Sequence, residues 1–210
     1  METRKKIANY LLQSKAIKLE PTNPFTWASG WKSPIYCDNR KTLSYPVIRD
    51  FIRDSFVNKI KESYPDVEVI AGVATGGIAQ GALIADKLNL PFIYVRSEAK
   101  SHGLANLIEG VVSKSQKVIV IEDLISTGGS SIKAINAIRE SGCIVLGMIA
   151  IFSYGFAKAR KNFIDINCSV NSLSDYESLL ELALETNYIN KEQATVLENW
   201  RLDPENWMKS

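Results

Sequence analysis

"VIVIEDLISTGGSS", residues 118–131, passes from an apolar run through two acids into a turn built of glycines and hydroxyl side chains. The first four residues are β-branched, which is typical of a buried strand. Ile132, Ile135 and Ile138 give the residues after the turn an apolar face at helical spacing. The stretch therefore predicts a strand, a tight turn and a helix, the unit from which α/β domains are built.

The same alternation extends over the middle of the chain. The predicted strands, each a short apolar run bounded by turn residues, are 67–74, 91–96, 117–123 and 144–152. The predicted helices, from periodic apolar positions, are 2–15, 46–63, about 78–88, about 130–141 and two short helices within about 175–202. Buried strands separated by helices predict an α/β fold, a mainly parallel sheet with helices on both faces.

The length of 210 residues fits one domain of ordinary size, so 1–210 is predicted to fold as a unit. Within it, about 1–45 includes an N-terminal cap and about 65–165 forms the α/β core. The segment 170–210 is predicted to be helical. The cap is predicted because 21–45 is rich in Pro, Ser, Gly and aromatic residues, which favours irregular or short-stranded structure.

The composition argues against several classes of partner. The net charge of +2 is too even for a dedicated nucleic-acid-binding protein. The longest apolar run, 144–152, is too short to cross a bilayer, and the basic N-terminus lacks the apolar centre of a signal peptide. Cys37, Cys143 and Cys168 form no CxxC pair, so they are predicted to be reduced thiols rather than zinc ligands. We therefore expect a cytoplasmic protein with no nucleic-acid or membrane partner.

The two halves of the opening stretch suit different chemical groups. Helix N-termini present unpaired N–H groups, and glycines let the backbone close around an anion, so residues 126–131, the glycine-serine turn, are predicted to hold a phosphate. Glu122 and Asp123 would repel phosphate, but they suit sugar hydroxyls or a magnesium ion. A ribose 5-phosphate satisfies both halves. The structural alternative is that the acids open a loop and Ser130 caps the helix.

A second glycine turn follows the first predicted core strand. "GVATGGIA", 72–79, has the GxxxxG spacing of a P-loop but lacks the Lys and Ser/Thr that must follow, so it is not a Walker A motif. Thr75, Gly76 and Gly77 form either a second anion-binding turn or only a tight strand-to-helix connection.

Three stretches together resemble the type I phosphoribosyltransferase family. Residues 118–131 are similar to its phosphoribosyl pyrophosphate (PRPP) signature. "VRSEAKSHGLANLIEG", 95–110, resembles the mobile catalytic loop of the orotate phosphoribosyltransferases, and "FTWASGWKSPIYCDNR", 25–40, resembles their N-terminal segment. The resemblance, over about residues 20–155, implies the type I phosphoribosyltransferase fold with a small N-terminal hood. It also implies magnesium-dependent transfer of ribose 5-phosphate from PRPP to orotate, giving orotidine 5′-monophosphate and pyrophosphate in pyrimidine biosynthesis.

The resemblance further implies a set of site residues. The implied catalytic residues are Lys100, His102 and Asp123. The implied PRPP contacts are Arg96, Lys100, His102, Glu122, Asp123, Leu124, Ile125, Ser126, Thr127, Gly128, Gly129 and Ser130, with Thr75, Gly76 and Gly77 as a pyrophosphate turn. The implied orotate contacts are Ser33, Tyr36 and Ser126. Magnesium (Mg2+) is expected to be held mainly by PRPP and water, with Glu122 and Asp123 as candidate protein ligands.

In this reaction, the cations of residues 96–103 would stabilise the leaving pyrophosphate. Pyrophosphate gathers negative charge as the ribosyl C1–O bond breaks, and cations held against it stabilise the transition state more than the ground state. Arg96 would bind a phosphate through two hydrogen bonds, Lys100 would act as a mobile point charge, and His102 would hydrogen-bond or protonate the leaving oxygen. By resemblance Lys100 reaches the neighbouring subunit's site, which implies a homodimer with shared active sites. The structural alternatives are a solvated lysine and a structural histidine.

The chain departs from the family at three positions. Well-known members have Lys where this chain has Ala28 and Gly76, and Arg where it has Tyr154. Three cationic contacts are therefore missing. Lys32, Arg40 or backbone N–H groups are the candidates to bind the orotate carboxylate in their place.

Two rival functions and one rival residue role stay open at this point. Another phosphoribosyltransferase, acting on a purine or uracil, would keep the 118–131 signature but should lack the patterns at 25–40 and 95–110. A regulator that senses PRPP and binds DNA would keep the fold without turnover, but such proteins usually add a DNA-binding domain. Tyr36 either stacks on the pyrimidine ring or is a core aromatic of the cap.

Overall fold

The computed structural model describes residues 2–27, 30–98 and 107–208. The strands in chain order are β1 Ile17–Leu19, β2 Phe25–Thr26, β3 Lys32–Ser33, β4 Ile35–Cys37, β5 Val69–Val73, β6 Phe92–Val95, β7 Ile108–Glu109, β8 Lys117–Ile125, β9 Ile144–Ser153 and β10 Val170–Asp175. The helices are α1 Glu2–Gln13, α2 Pro46–Ser63, α3 Gly76–Leu88, α4 Gly129–Glu140, α5 Ala157–Asp165, α6 Tyr176–Glu185 and α7 Lys191–Leu202, with a 3-10 helix over Asn39–Ser44.

Six strands form the central sheet in the order β10-β9-β8-β5-β6-β7. All neighbours pair in parallel except β6 and β7, which are antiparallel. β8 and β5 lie side by side at the centre, so the ends of both strands open onto the same edge of the sheet. In a parallel sheet this carboxyl edge is where ligands bind.

Alternate residues of the strands face two separate cores. On β8, Ile119 and Ile121 join a core shared with α1, α2, α3, α6 and α7, whereas Val118 and Val120 join a core shared with α4 and α5. This period of two follows from strand geometry and confirms the prediction of helices on both faces. Across the described parts of the chain, no helix has the length and apolar character needed to cross a membrane.

Most predicted elements appear at or near their predicted bounds. α2 spans 46–63 as predicted, and β8 continues two residues beyond the predicted end, to Ile125. The prediction of a wholly helical segment over 170–210 is wrong in its first part, because β10 pairs with β9 there before α6 begins. β10 is a polar edge strand, "VNSLSD", so it lacks the apolar run by which the other strands were recognised. The two-residue β7 and helix α5 were also not predicted.

The N-terminal residues do not form a separate core. β1 pairs with β4 and β2 with β3 in two small antiparallel ribbons. Their buried side chains Ile17, Leu19 and Ile35 belong to the same core as α1 and the central sheet. Asn39, which follows β4, bonds the carbonyl oxygen of Asp123 at the end of β8, so the cap lies against the carboxyl edge of the sheet.

Candidate active site

The glycine-serine turn joins β8 to α4 at the carboxyl edge. Gly128 precedes α4 with φ of +84°, a left-handed conformation that favours glycine. Within the described residues, the amide N–H groups of Gly129, Ser130 and Ser131 have no acceptor, as expected for the first turn of a helix. Ser130 is not the cap that the structural alternative required, because it lies inside the helix. The turn thus presents free donors to an anion.

Helix α5 holds this turn from behind. Asn162 Nδ2 donates a hydrogen bond of 3.1 Å to the carbonyl oxygen of Thr127. A Cβ atom on Gly128 would lie 2.8 Å from the ring of Phe163, so a side chain at this position would also force the turn away from α5. The position of the turn is therefore set by packing on α5 as well as by its own backbone.

The turn at Thr75, Gly76 and Gly77 lies against β8. A Cβ atom on Gly77 would lie 2.4 Å from the carbonyl oxygen of Ile121, and one on Gly76 would lie 2.2 Å from Cγ of Asp123. Both glycines are needed because α3 begins in direct contact with the neighbouring strand. The carboxylate of Asp123 occupies the space that a side chain at position 76 would need, which gives a physical reason for the absence of a lysine there.

Glu122 is buried at the end of β8, with 4% of its surface exposed. Its carboxylate accepts hydrogen bonds from Ser131 Oγ at 2.9 Å and from the amide of Asp123 at 3.0 Å. Burial raises the pKa of Glu122 well above its usual range, and the adjacent Asp123 carboxylate raises it further. Glu122 therefore braces the end of β8 against α4.

Asp123 is half-buried and faces the 75–77 turn. Burial raises its pKa, while hydrogen bonding to Glu122 and the charge of Arg40 act in the opposite direction. Asn39 Nδ2 donates a hydrogen bond of 2.6 Å to the carbonyl oxygen of Asp123, which fixes the strand end to the cap. Of the two acids, Asp123 is the one whose carboxylate reaches the open side of the sheet edge.

A cavity of about 410 Å³ opens beside Asp123, between the cap and the end of β9. We call it the aromatic cavity; its lining residues are Thr26, Trp27, Tyr36, Cys37, Leu124, Ser126 and Tyr154. Leu124 and Ser126 place it next to both Asp123 and the glycine-serine turn. A flat apolar ring bound there would therefore lie beside a sugar held by Asp123.

Two cations stand near this cavity. Lys32 lies opposite Thr26 across the β2–β3 ribbon, and its Nζ donates a hydrogen bond of 2.9 Å to Thr26 Oγ1. Arg40 is exposed and pairs with Asp38 at 2.7 Å. Its charge lowers the pKa of Asp123, so it lies near that carboxylate, and it is not one of the residues that line the cavity.

Known relatives identify the family of this chain. A model of the phosphoribosyl transferase domain matches residues 41–183. The orotate phosphoribosyltransferase of Phocaeicola vulgatus is 58% identical over 208 residues, covering 99% of this chain and 98% of that protein. The chain belongs to the orotate phosphoribosyltransferase family. The Cytophaga hutchinsonii enzyme of the same name is 53% identical and is matched over the full length of both chains. The crystal structure of orotate phosphoribosyltransferase from Aeropyrum pernix has a TM-score of 0.76 at 26% identity, covering 88% of this chain and 99% of that one.

Some residues that the family resemblance assigns to the site lie outside the described residues, namely Lys100, His102 and the departure at Ala28. Arg96 is described. It follows β6, its amide donates to the carbonyl oxygen of Leu107, and its guanidinium lies 3.4 Å from Glu109. β6 and β7 are thus the two arms of a hairpin, and the segment with Lys100 and His102 connects them.

The structure separates the three residues implied to bind orotate. Tyr36 is 38% exposed and lines the aromatic cavity, so it is not a core aromatic of the cap. Ser126 lines the cavity as well. Ser33 is fully buried, and its hydroxyl donates to the carbonyl oxygen of Ile35 at 2.8 Å, so its side chain serves the turn. Direct contact of residues 33–34 with the base stays a prediction about their backbone.

Several residues around the site were not found by sequence reasoning. Asn39 joins the cap to β8, and Thr26, Trp27 and Cys37 line the aromatic cavity. The "CDNR" that follows the "SP" pattern was the available signal for Asn39 and Cys37. No local signal pointed to Trp200 of α7, which packs against both Trp27 and Tyr154 at centroid distances of 5.6 Å.

Proposed function

We propose that this protein transfers ribose 5-phosphate from PRPP to orotate, releasing pyrophosphate and forming orotidine 5′-monophosphate for pyrimidine biosynthesis. The observation that carries the proposal is the meeting of an anion-binding turn, an acid pair and an aromatic cavity at one edge of the sheet. The full-length relatives named orotate phosphoribosyltransferases support orotate as the acceptor base.

In this proposal the glycine-serine turn holds the 5′-phosphate. Ser126, Thr127 and Ser130 supply hydroxyls, and the first amides of α4 supply N–H donors at the positive end of the helix dipole. The hydrogen bond from Asn162 of α5 to the turn keeps these donors in place before the substrate binds. Preorganised donors of this kind lose little energy to reorganisation during the reaction.

Asp123 then faces the ribose. Its carboxylate accepts hydrogen bonds from the ring hydroxyls and stabilises the positive charge that develops on the ribose as the C1–O bond breaks. Glu122, which is deeper and bonded to Ser131, acts mainly by holding Asp123 and α4 in position. The resemblance alone did not separate these two roles.

Pyrophosphate leaves on the side of the 75–77 turn. The N–H groups at the start of α3 face that side, and we propose that Arg96, Lys100 and His102 supply the cationic contacts. Of the two candidate magnesium ligands, Asp123 fits better, because hard cations prefer carboxylates and its side chain reaches the open edge, whereas both oxygens of the buried Glu122 already accept hydrogen bonds. Among the described residues there is no group of three or more potential metal ligands, so we propose that PRPP and water complete its coordination. When bound, magnesium would supply positive charge against the pyrophosphate oxygens.

We also propose a cytoplasmic homodimer in which Lys100 of one protomer completes the site of the other. Cys37, Cys143 and Cys168 are all free thiols, which supports a reducing compartment. To test the shared site, protomers with Lys100→Ala are mixed with protomers carrying Asp123→Asn, each of strongly reduced activity alone. Recovery of activity in the mixture is expected, and mixtures that stay inactive would show that each site is built from one chain.

The test of the function itself is the loss of orotate absorbance with PRPP, with and without magnesium. Hypoxanthine and uracil, offered separately, cover the rival phosphoribosyltransferases, and binding of PRPP without turnover of any base would favour the regulator. We expect turnover of orotate alone. Asp123→Asn should slow it by about 2–4 kcal/mol in kcat/KM, the size of a preorganised electrostatic contact.

A further inference from the structure

Tyr154 is enclosed by aromatic rings. Four rings pack around it, with these distances between ring centroids: Phe156 at 5.3 Å, Trp27 at 5.4 Å, Trp200 at 5.6 Å and Phe152 at 5.7 Å. The residue is 1% exposed, and yet it lines the aromatic cavity. Such packing fixes the side chain in one rotamer and fixes the direction of its hydroxyl.

The hydroxyl of Tyr154 has no hydrogen-bond partner among the residues that the structure describes. Buried tyrosine hydroxyls usually find one. Tyr176 in the same cluster follows this rule, since its hydroxyl donates to the carbonyl oxygen of Leu197 at 2.9 Å. The Tyr154 hydroxyl, by contrast, is not fully enclosed, so it reaches accessible space, and a ligand in the aromatic cavity that this residue lines would be its partner.

Its surroundings keep the Tyr154 hydroxyl protonated. Burial raises the pKa of Tyr154 well above its usual range, and Cys37, Tyr176, Asp123 and Tyr36 raise it further. Two of these groups, Cys37 and Tyr36, are also walls of the aromatic cavity. A phenol in this setting keeps its proton, so it is available as a hydrogen-bond donor.

From this geometry we infer that the Tyr154 hydroxyl donates a hydrogen bond to an oxygen of the bound pyrimidine base and is a specificity-determining residue for it. The inference rests on the proposed function. It also accounts for the departure at this position: a neutral donor, held by aromatic packing, takes the place of a cationic one. The base preferred by such a site carries an acceptor oxygen, as orotate does in its carbonyl and carboxylate groups.

The experiment compares Tyr154→Phe with Tyr176→Phe as a matched control. Both substitutions remove one hydroxyl from the same cluster, but only Tyr154 lines the cavity. For Tyr154→Phe we expect the KM for orotate to rise about tenfold to a hundredfold, as for a lost bond to a charged acceptor, with the KM for PRPP within about twofold. Its thermal midpoint should stay level, because the substitution removes no hydrogen bond within the described residues.

Tyr176→Phe should behave in the opposite way, with a lower thermal midpoint and an unchanged KM for orotate. The inference is overturned if Tyr154→Phe keeps the wild-type KM for orotate, or if Tyr176→Phe raises that KM equally through a loosened cluster. Wild-type turnover of orotate is measured first. If it is present, a failure at Tyr154 concerns this inference alone; if it is absent, the proposed function fails and this inference falls with it.

Discussion

Replacing Gly76 with alanine tests whether Asp123 acts from the position in which the structure holds it. The new Cβ would lie 2.2–2.4 Å from the three carboxylate atoms of Asp123, whereas ordinary contact begins at 3.4 Å. The backbone of Asp123 is held in β8 and by the hydrogen bond from Asn39. The carboxylate itself must therefore turn away, by about 1 Å.

The expected loss falls on catalysis more than on folding. A misplacement of about 1 Å in a positioned catalytic group can cost about 10²-fold in rate. Overpacking costs about 1–3 kcal/mol, but alanine gains about 1 kcal/mol over glycine in a helix, and Gly76 does not use a positive φ. We therefore expect kcat/KM for PRPP to fall about a hundredfold while the free energy of unfolding falls by about 2 kcal/mol or less.

The assay pairs steady-state kinetics with urea unfolding and adds a double-mutant cycle. Asp123→Ala removes the carboxylate that Gly76→Ala would strike, so in that background the second substitution should change kcat/KM by less than about threefold. The reasoning is refuted if Gly76→Ala alone keeps nearly wild-type kcat/KM. It is equally refuted if the substitution costs the same factor in both backgrounds, because the effect would then not pass through Asp123.

Three further predictions concern the surroundings of the site. Glu122 has a raised folded-state pKa, so its contribution to stability is present below the ordinary glutamate pKa of about 4.3 and is lost as pH rises toward the raised value. The Glu122→Gln variant has no proton to lose at this position. The difference in thermal midpoint, variant minus wild type, should therefore increase from about pH 5 to about pH 8. Thermal midpoints that change in parallel with pH in the two proteins would contradict the raised pKa. Trp200→Ala should destabilise the protein by about 3–5 kcal/mol in urea unfolding and raise the KM for orotate more than that for PRPP, because Trp200 supports two cavity walls; equal changes in both constants would limit Trp200 to a general role in the core. Lys32→Met should raise the KM for orotate about tenfold if Lys32 binds its carboxylate, whereas the exposed Lys191→Met on α7 should change nothing, and equal behaviour of the two would remove Lys32 from the site.

The parts of the molecule that sequence predicts well are those whose signals are local. The run from β8 through the glycine-serine turn to α4 lies within one stretch, and its strand, turn and helix each have their own residue preferences. α2 is equally clear because its apolar positions repeat over five turns. These elements also carry the phosphate-binding half of the candidate site, so that half was predicted together with the fold.

The rest depends on contacts between distant residues. The hydrogen bond from Asn39 to Asp123 spans 84 positions, and nothing in "DNR" alone indicates its partner. The burial of Glu122 by Ser131 gives the two adjacent acids different roles, although the sequence presents them as a pair. The roles of Tyr154 and Trp200 were likewise invisible, because an aromatic residue in an apolar run predicts only a core position.

This division has a consequence for specificity. The glycine-serine turn binds through the backbone of one segment, whereas the aromatic cavity is built from side chains that begin at Thr26 and are supported by Trp200 near the other end of the described chain. Apart from Ser126, which belongs to both, the cavity side chains lie outside the turn, since the turn packs on α5 and Trp200 of α7 supports the cavity. Recognition of the base can therefore change while binding of the sugar phosphate is preserved. Tyr154, which is held by the rings of Trp27, Phe156 and Trp200, is a cavity side chain of this kind.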